Sequence, residues 1–128
     1  MEVFLTKWMA RFVRREKISH ASLLEAIIRA EKGLVDADLG GGLIKQRVAR
    51  KGEGRSGGYR TIVAYRRADR AVFLYGFAKL ERDNIGPDEL MELRRVGQNW
   101  LGASEQTISE ALEEEKLQEV NTWRPQKG

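Results

Sequence analysis

With 128 residues, 41% of them hydrophobic and 33% charged, and a formal charge of +4, the chain suits one small folded domain. It has no cysteine, which excludes disulfides and thiolate metal sites, and one histidine, His20, which argues against a histidine-built metal centre. The longest apolar run, Ala71–Ala78, is too short to span a bilayer, and Met1-Glu2-Val3 opens without a signal-peptide pattern, so a cytoplasmic protein with no membrane contact and no cofactor is expected.

In chain order, Glu2–Leu5 reads as a short strand. Thr6 is placed to cap a helix through about Lys17, with Trp8, Met9, Phe12 and Val13 on its apolar face. Ser19 or Ser22 starts a second helix, and Ser22 with Glu25 has capping-box spacing. Leu23, Leu24, Ile27 and Ile28 form its stripe, and Gly33 is a suitable stop. His20, at the junction of the two helices, reads as a surface or capping residue, with a catalytic role as the alternative. Gly40–Gly42 then breaks the chain before a strand over Leu43–Arg50. A second strand covers Tyr59–Arg67, with Thr61, Val63 and Tyr65 on one face. Ala68–Arg70 is a tight turn. The third strand, Ala71–Lys79, alternates Phe73, Tyr75 and Phe77 with Val72, Leu74 and Gly76. Short connections make these three strands an antiparallel meander. Glu81–Asn84 is a polar turn. Gly86-Pro87-Asp88-Glu89 opens a helix, with proline at its first position and acids in its first turn, and Leu90, Leu93, Val96 and Trp100 continue its buried face to Gly102. Thr107 and Glu110 have capping-box spacing for a last helix carrying Ile108, Leu112 and Val120. Asn121–Gly128 is expected to fray, and Trp123 within it receives no role. The expected division is a core domain over residues 1–102 and an acidic helical extension with its tail over 103–128.

Charge is unevenly placed. Nine cations and two acids lie between Lys45 and Arg70, whereas six acids and one lysine lie between Glu105 and Glu119. A basic middle calls for a polyanionic partner. In Leu43–Arg50, Ile44, Gln46 and Val48 fall on one face, and Lys45, Arg47 and Ala49 on the other. A loop with Gly52, Gly54, Gly57 and Gly58 follows, carrying Lys51 and Arg55, and Arg60 returns on the next strand. Gly52–Gly57 satisfies G-x-G-x-x-G. A dinucleotide fingerprint needs a helix after it, and the residues that follow are β-like, so the pattern fails its structural requirement. A loop whose N–H groups and Arg55 close on a nucleic-acid phosphate remains, beside the plainer reading of a hairpin loop. Lys45, Arg47, Arg60 and Lys79 can gather on one sheet face, where arginines grip phosphate bidentately and stabilise charge added at phosphorus. A lysine among other cations sheds its proton more readily and so can accept one. Tyr59, Tyr75 and Phe77 are candidates for stacking on bases. The alternative is a solvated basic face with core aromatics. The acids offer no convincing catalytic pair.

Four separated blocks carry a resemblance: Lys45–Ala49, Gly52–Thr61, Phe73–Lys79 and Glu81–Ile85. Together they resemble the RelE-like toxins of type II toxin–antitoxin systems, nearest the HigB-type branch. The resemblance implies an α+β fold in which two N-terminal helices pack on an antiparallel sheet, followed by C-terminal helices. It implies a ribosome-dependent, metal-independent messenger-RNA endoribonuclease that arrests translation. It also implies a cognate antitoxin as partner, and contact with operator DNA only through the antitoxin complex. By the same resemblance Lys45 is the candidate base, Arg47 its paired cation, Arg60 the phosphate clamp, and Lys79 a second clamp or the acid. Lys51, Arg55, Tyr59, Tyr75 and Phe77 are the RNA contacts. No residue stands where many relatives carry a catalytic tyrosine or histidine near the C-terminus.

Two other functions compete. A ParE-like poison of DNA gyrase would not need Lys45 and Arg60 to converge. A non-catalytic nucleic-acid-binding module would bind RNA in a salt-sensitive way without cutting it.

Overall fold

Alternating apolar side chains drive the sheet and two helical stripes close over each of its faces. The computed structural model describes residues 1–50, 54–79, 81–82 and 84–121, with the backbone alone at 54–56. In chain order the elements are β1 (Glu2–Thr6), α1 (Lys7–Glu16), α2 (His20–Glu31), β2 (Ala37–Gly40), β3 (Leu43–Arg50), β4 (Gly54–Arg66), β5 (Arg70–Ala78), α3 (Pro87–Leu101), α4 (Glu105–Glu113) and β6 (Leu117–Glu119). The expected α+β class and N-terminal helix pair are present. The sheet is mixed rather than antiparallel, in the order β2-β3-β4-β5-β1-β6. β1 lies parallel to β5, pairing Val3 with Ala71 and Leu5 with Phe73, and β6 runs antiparallel beside β1.

One face of the sheet packs on α1 and α2. Val3, Leu5, Ile44, Val48, Tyr59, Val63 and Phe73 meet Met9, Phe12, Leu23 and Ile27 there. The other face carries Phe4, Leu43, Ile62, Ala64, Val72 and Leu74 against Leu101, Ile108 and the inner sides of Leu90, Leu93 and Val96. The caps are short-range chemistry. The Thr6 hydroxyl accepts from Met9 N–H at 3.2 Å. Ser19, not Ser22, caps α2, accepting from Ser22 N–H at 3.1 Å, while Glu25 is drawn to Arg29 instead. Likewise Ser104, three residues before Thr107, caps α4. Gly33 ends α2 at φ +84°, as its position in the sequence implied.

Two corrections shape the site. The glycine-rich segment is largely strand, because β4 begins at Gly54 and pairs that residue with Arg50 across a bulge at Val48/Arg50. At that bulge an added Cβ on Gly58 would stand 2.2 Å from the Val48 carbonyl oxygen, so only glycine lets the two backbones meet. A second irregularity falls where Ile62 pairs with Tyr75 and Val63 with Phe73, leaving Leu74 extra. It breaks the simple alternation expected along β5. Tyr75 and Phe77 turn to the α3 side and Phe73 stays under α1 and α2.

Candidate nucleic-acid interface

A buried polar network sets the register of the basic strand. The Gln46 side chain, fully buried, donates to Ala26 C=O at 2.9 Å and accepts from Asp36 N–H at 2.7 Å. Asp36 in turn accepts the Arg47 N–H at 2.7 Å, Arg29 donates to the Arg47 carbonyl, and the Thr61 hydroxyl donates to Gln46 C=O at 2.8 Å. Strand alternation then leaves Lys45 and Arg47 no choice but the opposite face.

On that face two cross-strand rows form. Arg47 pairs with Arg60, and Arg60 with Phe77; one step along, Lys45 pairs with Ile62, and Ile62 with Tyr75. Residues opposite each other in antiparallel strands hold their Cβ atoms about 5 Å apart, so three cations share one small area with two aromatic rings. Arg47 is exposed, and Lys45 and Arg60 are half-buried. The Nη1 atom of Arg60 is buried and has no hydrogen-bond partner among the described residues. A guanidinium nitrogen withheld from water without an acceptor is unfavourable, and an anionic oxygen is the group that would relieve it.

The structure also adds a residue that sequence reasoning passed over. Arg82, after β5, lies over the rings of Phe77 and Tyr75, at 5.5 and 6.0 Å from their centroids. Its Nη1 donates to the Tyr75 hydroxyl oxygen at 3.2 Å and its Nη2 to Glu89 Oε1 at 2.6 Å. The Arg82 guanidinium, then the Gly86 N–H, holds the Glu89 carboxyl below the ordinary carboxylate range, so the pair stays ionised. Glu89 stands in the first turn of α3, where a carboxylate also suits the helix dipole. The signal for Arg82 was in the Glu81–Ile85 block, but its spacing to Glu89 becomes meaningful only once α3 starts at Pro87. Trp8 is a second surprise. It is 42% exposed rather than core, and its ring lies against Tyr75, centroids 4.5 Å apart and tilted by 30°.

Not every expected residue arrives. Tyr59 points to the opposite face, 2% exposed, edge-on to Phe12 with its hydroxyl donating to Glu16 at 3.0 Å; it is a core residue and no RNA contact. Phe77 is on the right face but 3% exposed beneath Arg82, a floor rather than an open stacking surface. Lys79 is exposed one step past β5, its N–H directed to Gly58 C=O at 3.4 Å. Lys51 and the Arg55 side chain lie outside the described residues, as does the segment 122–128 with Trp123. His20 is structural: its Nδ1 meets the Asn121 backbone, accepting from the N–H at 3.0 Å. Among the described residues no cluster of His, Asp and Glu could hold a metal ion, and no helix is long and apolar enough to cross a membrane.

No curated protein matches the chain. A family model described as RelE toxin of RelE / RelB toxin-antitoxin system matches residues 1–120, which takes in both cross-strand rows, α3, α4 and β6. With nearly the whole chain matched, the protein belongs to the RelE family of toxins, the toxic half of RelE/RelB toxin–antitoxin systems.

Proposed function

We propose that this toxin is a metal-independent endoribonuclease that cuts messenger RNA on the translating ribosome and so arrests growth. The observation that carries the reading is the convergence of Lys45, Arg47 and Arg60 on one face, with a buried Arg60 nitrogen that has no acceptor among the described residues. RNA brings its own nucleophile, the 2′-hydroxyl. Cleavage needs that hydroxyl deprotonated, the charge at phosphorus stabilised and the 5′ oxygen protonated. Lys45 takes the 2′ proton. Arg60 grips the phosphate from the middle of the row, where added charge is worth most. Arg47, more exposed, and Lys79 hold the flanking backbone. Arg82, over Phe77 and Tyr75, borders the rows from the side of α3. A general acid and base contribute about 10²–10⁴-fold, and positioning supplies more; a ribosome that holds the message supplies that positioning.

The likeness of the four sequence blocks supports a HigB-type branch, and action on ribosomes would need a cytoplasmic toxin. Its antitoxin covers or distorts the basic face, and the toxin reaches operator DNA only within that complex. The test is induced expression of wild type and Arg60→Ala with messenger-RNA 5′ ends mapped. New cuts in translated messages, lost in the variant, are expected. Growth arrest without new cuts would overturn the ribonuclease reading and point to another target such as gyrase.

A further inference from the structure

With Lys79 holding the flanking backbone rather than acting as the acid, the leaving 5′ oxygen still needs a proton donor. We infer that Tyr75 is that general acid, with Arg82 as its positioning residue; the inference rests on the ribonuclease reading.

The three tyrosines differ in where their hydroxyl proton goes. Tyr59 gives its proton to Glu16 and Tyr65 gives its proton to Glu31. Tyr75 donates to no described group. Its oxygen instead accepts from Arg82 Nη1 at 3.2 Å. That bond occupies a lone pair and leaves the O–H free to donate outward. When the proton departs, the guanidinium beside the oxygen stabilises the phenolate. Arg82 is itself fixed by Glu89, and the Tyr75 ring is fixed by Trp8 on its outer side, so the hydroxyl is held rather than swinging.

Placement completes the case. Lys45, Ile62 and Tyr75 form one cross-strand row. Strands lie about 4.8 Å apart, so base and acid stand roughly 10 Å apart at the backbone, either side of the apolar Ile62. Arg60 rises in the adjacent row between them. A phosphate gripped by Arg60 therefore has Lys45 on one flank and Tyr75 on the other. Opposed flanks are what in-line attack requires, because the entering and leaving oxygens sit on opposite sides of phosphorus. The step balances. Lys45 takes the 2′ proton, the 2′ oxygen bonds to phosphorus, the bond from phosphorus to the 5′ oxygen breaks, and that oxygen takes the Tyr75 proton. A 2′,3′-cyclic phosphate and a 5′-hydroxyl end result, and water returns the two side chains to their starting states.

The experiment uses full-length toxin, translating ribosomes and two messages, one normal and one with sulfur replacing the 5′ bridging oxygen at the cut. A thiolate leaves without being protonated. Tyr75→Phe keeps the ring on Trp8 and removes only the hydroxyl. It is expected to slow cutting of the normal message by about 10²–10⁴-fold and to cut the sulfur-linked message at the wild-type rate. Lys45→Ala should slow both. Arg82→Gln, which removes the fixed charge behind the hydroxyl, should share the sulfur rescue in part. Tyr75→Phe that cuts the normal message at nearly the wild-type rate, or that is equally slow on both messages, overturns the assignment. If wild type cuts neither message, the ribonuclease reading itself falls.

Discussion

Leaving a buried donor without an acceptor costs a folded protein about 1–3 kcal/mol, and Arg60 Nη1 is such a donor. Arg60 is held there by β4, directly between Arg47 and Phe77, and among the described residues no hydrogen bond to Nη1 offsets its burial. Removing the charge while keeping the stem's packing should therefore stabilise the free toxin. Arg60→Met is expected to raise the melting temperature or leave it unchanged, and to slow message cleavage by about 10²–10³-fold, the usual loss when one transition-state donor is removed. Thermal melting and cleavage rate together check this; a lower melting temperature would show that the native contacts of Arg60 had been misjudged. At this scale the sequence was informative about direction. The alternation in Leu43–Arg50 placed Lys45 and Arg47 on one face, and both are there. Tyr59 was misplaced because it was grouped with its neighbours by residue type, while its parity along β4 puts it with Thr61 and Val63 on the core side. Arg82 went unnoticed because its worth lies in Glu89 and two rings, none adjacent to it in sequence.

Between elements, the end of α2 is tied to the β4–β5 turn through one carboxylate. Glu31 accepts from the Tyr65 hydroxyl and from Ala68 N–H at 3.0 Å, and Ala68 itself sits at φ +58°. The Tyr65 hydrogen bond, then the Ala68 N–H, lowers the Glu31 carboxyl below its ordinary value, while burial and the same carboxylate raise the Tyr65 hydroxyl. A carboxyl depressed in the folded state stabilises the protein above its unfolded value, about 4.3–4.5, and that contribution fades as pH falls through the lower folded value. Tyr65→Phe should cost about 1 kcal/mol at pH 7. Its melting temperature should converge on that of wild type as pH drops from 5 toward 3. Parallel curves across that range would exclude Glu31 as the titrating group. Elements with their own signals were legible: Thr6, Gly33 and Pro87 all marked true boundaries. β2 and β6 were not. Ala37–Gly40 and Leu117–Glu119 are too short for a periodicity, and each exists only because a longer strand offers it an edge.

At the scale of the molecule, the acidic end of the chain is built into the sheet rather than appended to it. β6 pairs Leu117 with Thr6 and Glu119 with Phe4, and Ile108, Ala111 and Leu117 fill the core under α3. Arg70, 4% exposed, gathers the same region: it bonds Glu2 on β1 at 2.9 Å, the Trp100 and Ala103 carbonyls at 2.9 and 2.8 Å, and Glu105 at 2.9 Å. The six acids from Glu105 to Glu119 suggest a solvated helix, which is correct for the outward side. What sequence conceals is the parallel pairing of β1 with β5, which brings Arg70 to Glu2 across 68 positions and leaves β1 an edge to be covered. Truncation after Ser104 would strip β6 from that edge, uncover Phe4, and leave Arg70 with one carboxylate partner in place of two. Glu105 is mostly exposed, so losing its pair with Arg70 costs about 0–1 kcal/mol; losing the buried Ile108, Leu117 and Val120, at about 1.5–3 kcal/mol each, removes a large share of the 5–15 kcal/mol that holds a domain together. The truncated chain is therefore expected to lose cooperative melting and to aggregate through the bared edge. Arg70→Met, with α4 and β6 intact, should stay folded with a reduced midpoint. If instead the truncated chain melts cooperatively and still cuts messages, residues 105–128 are a separable extension, and the toxin's working fold ends with α3.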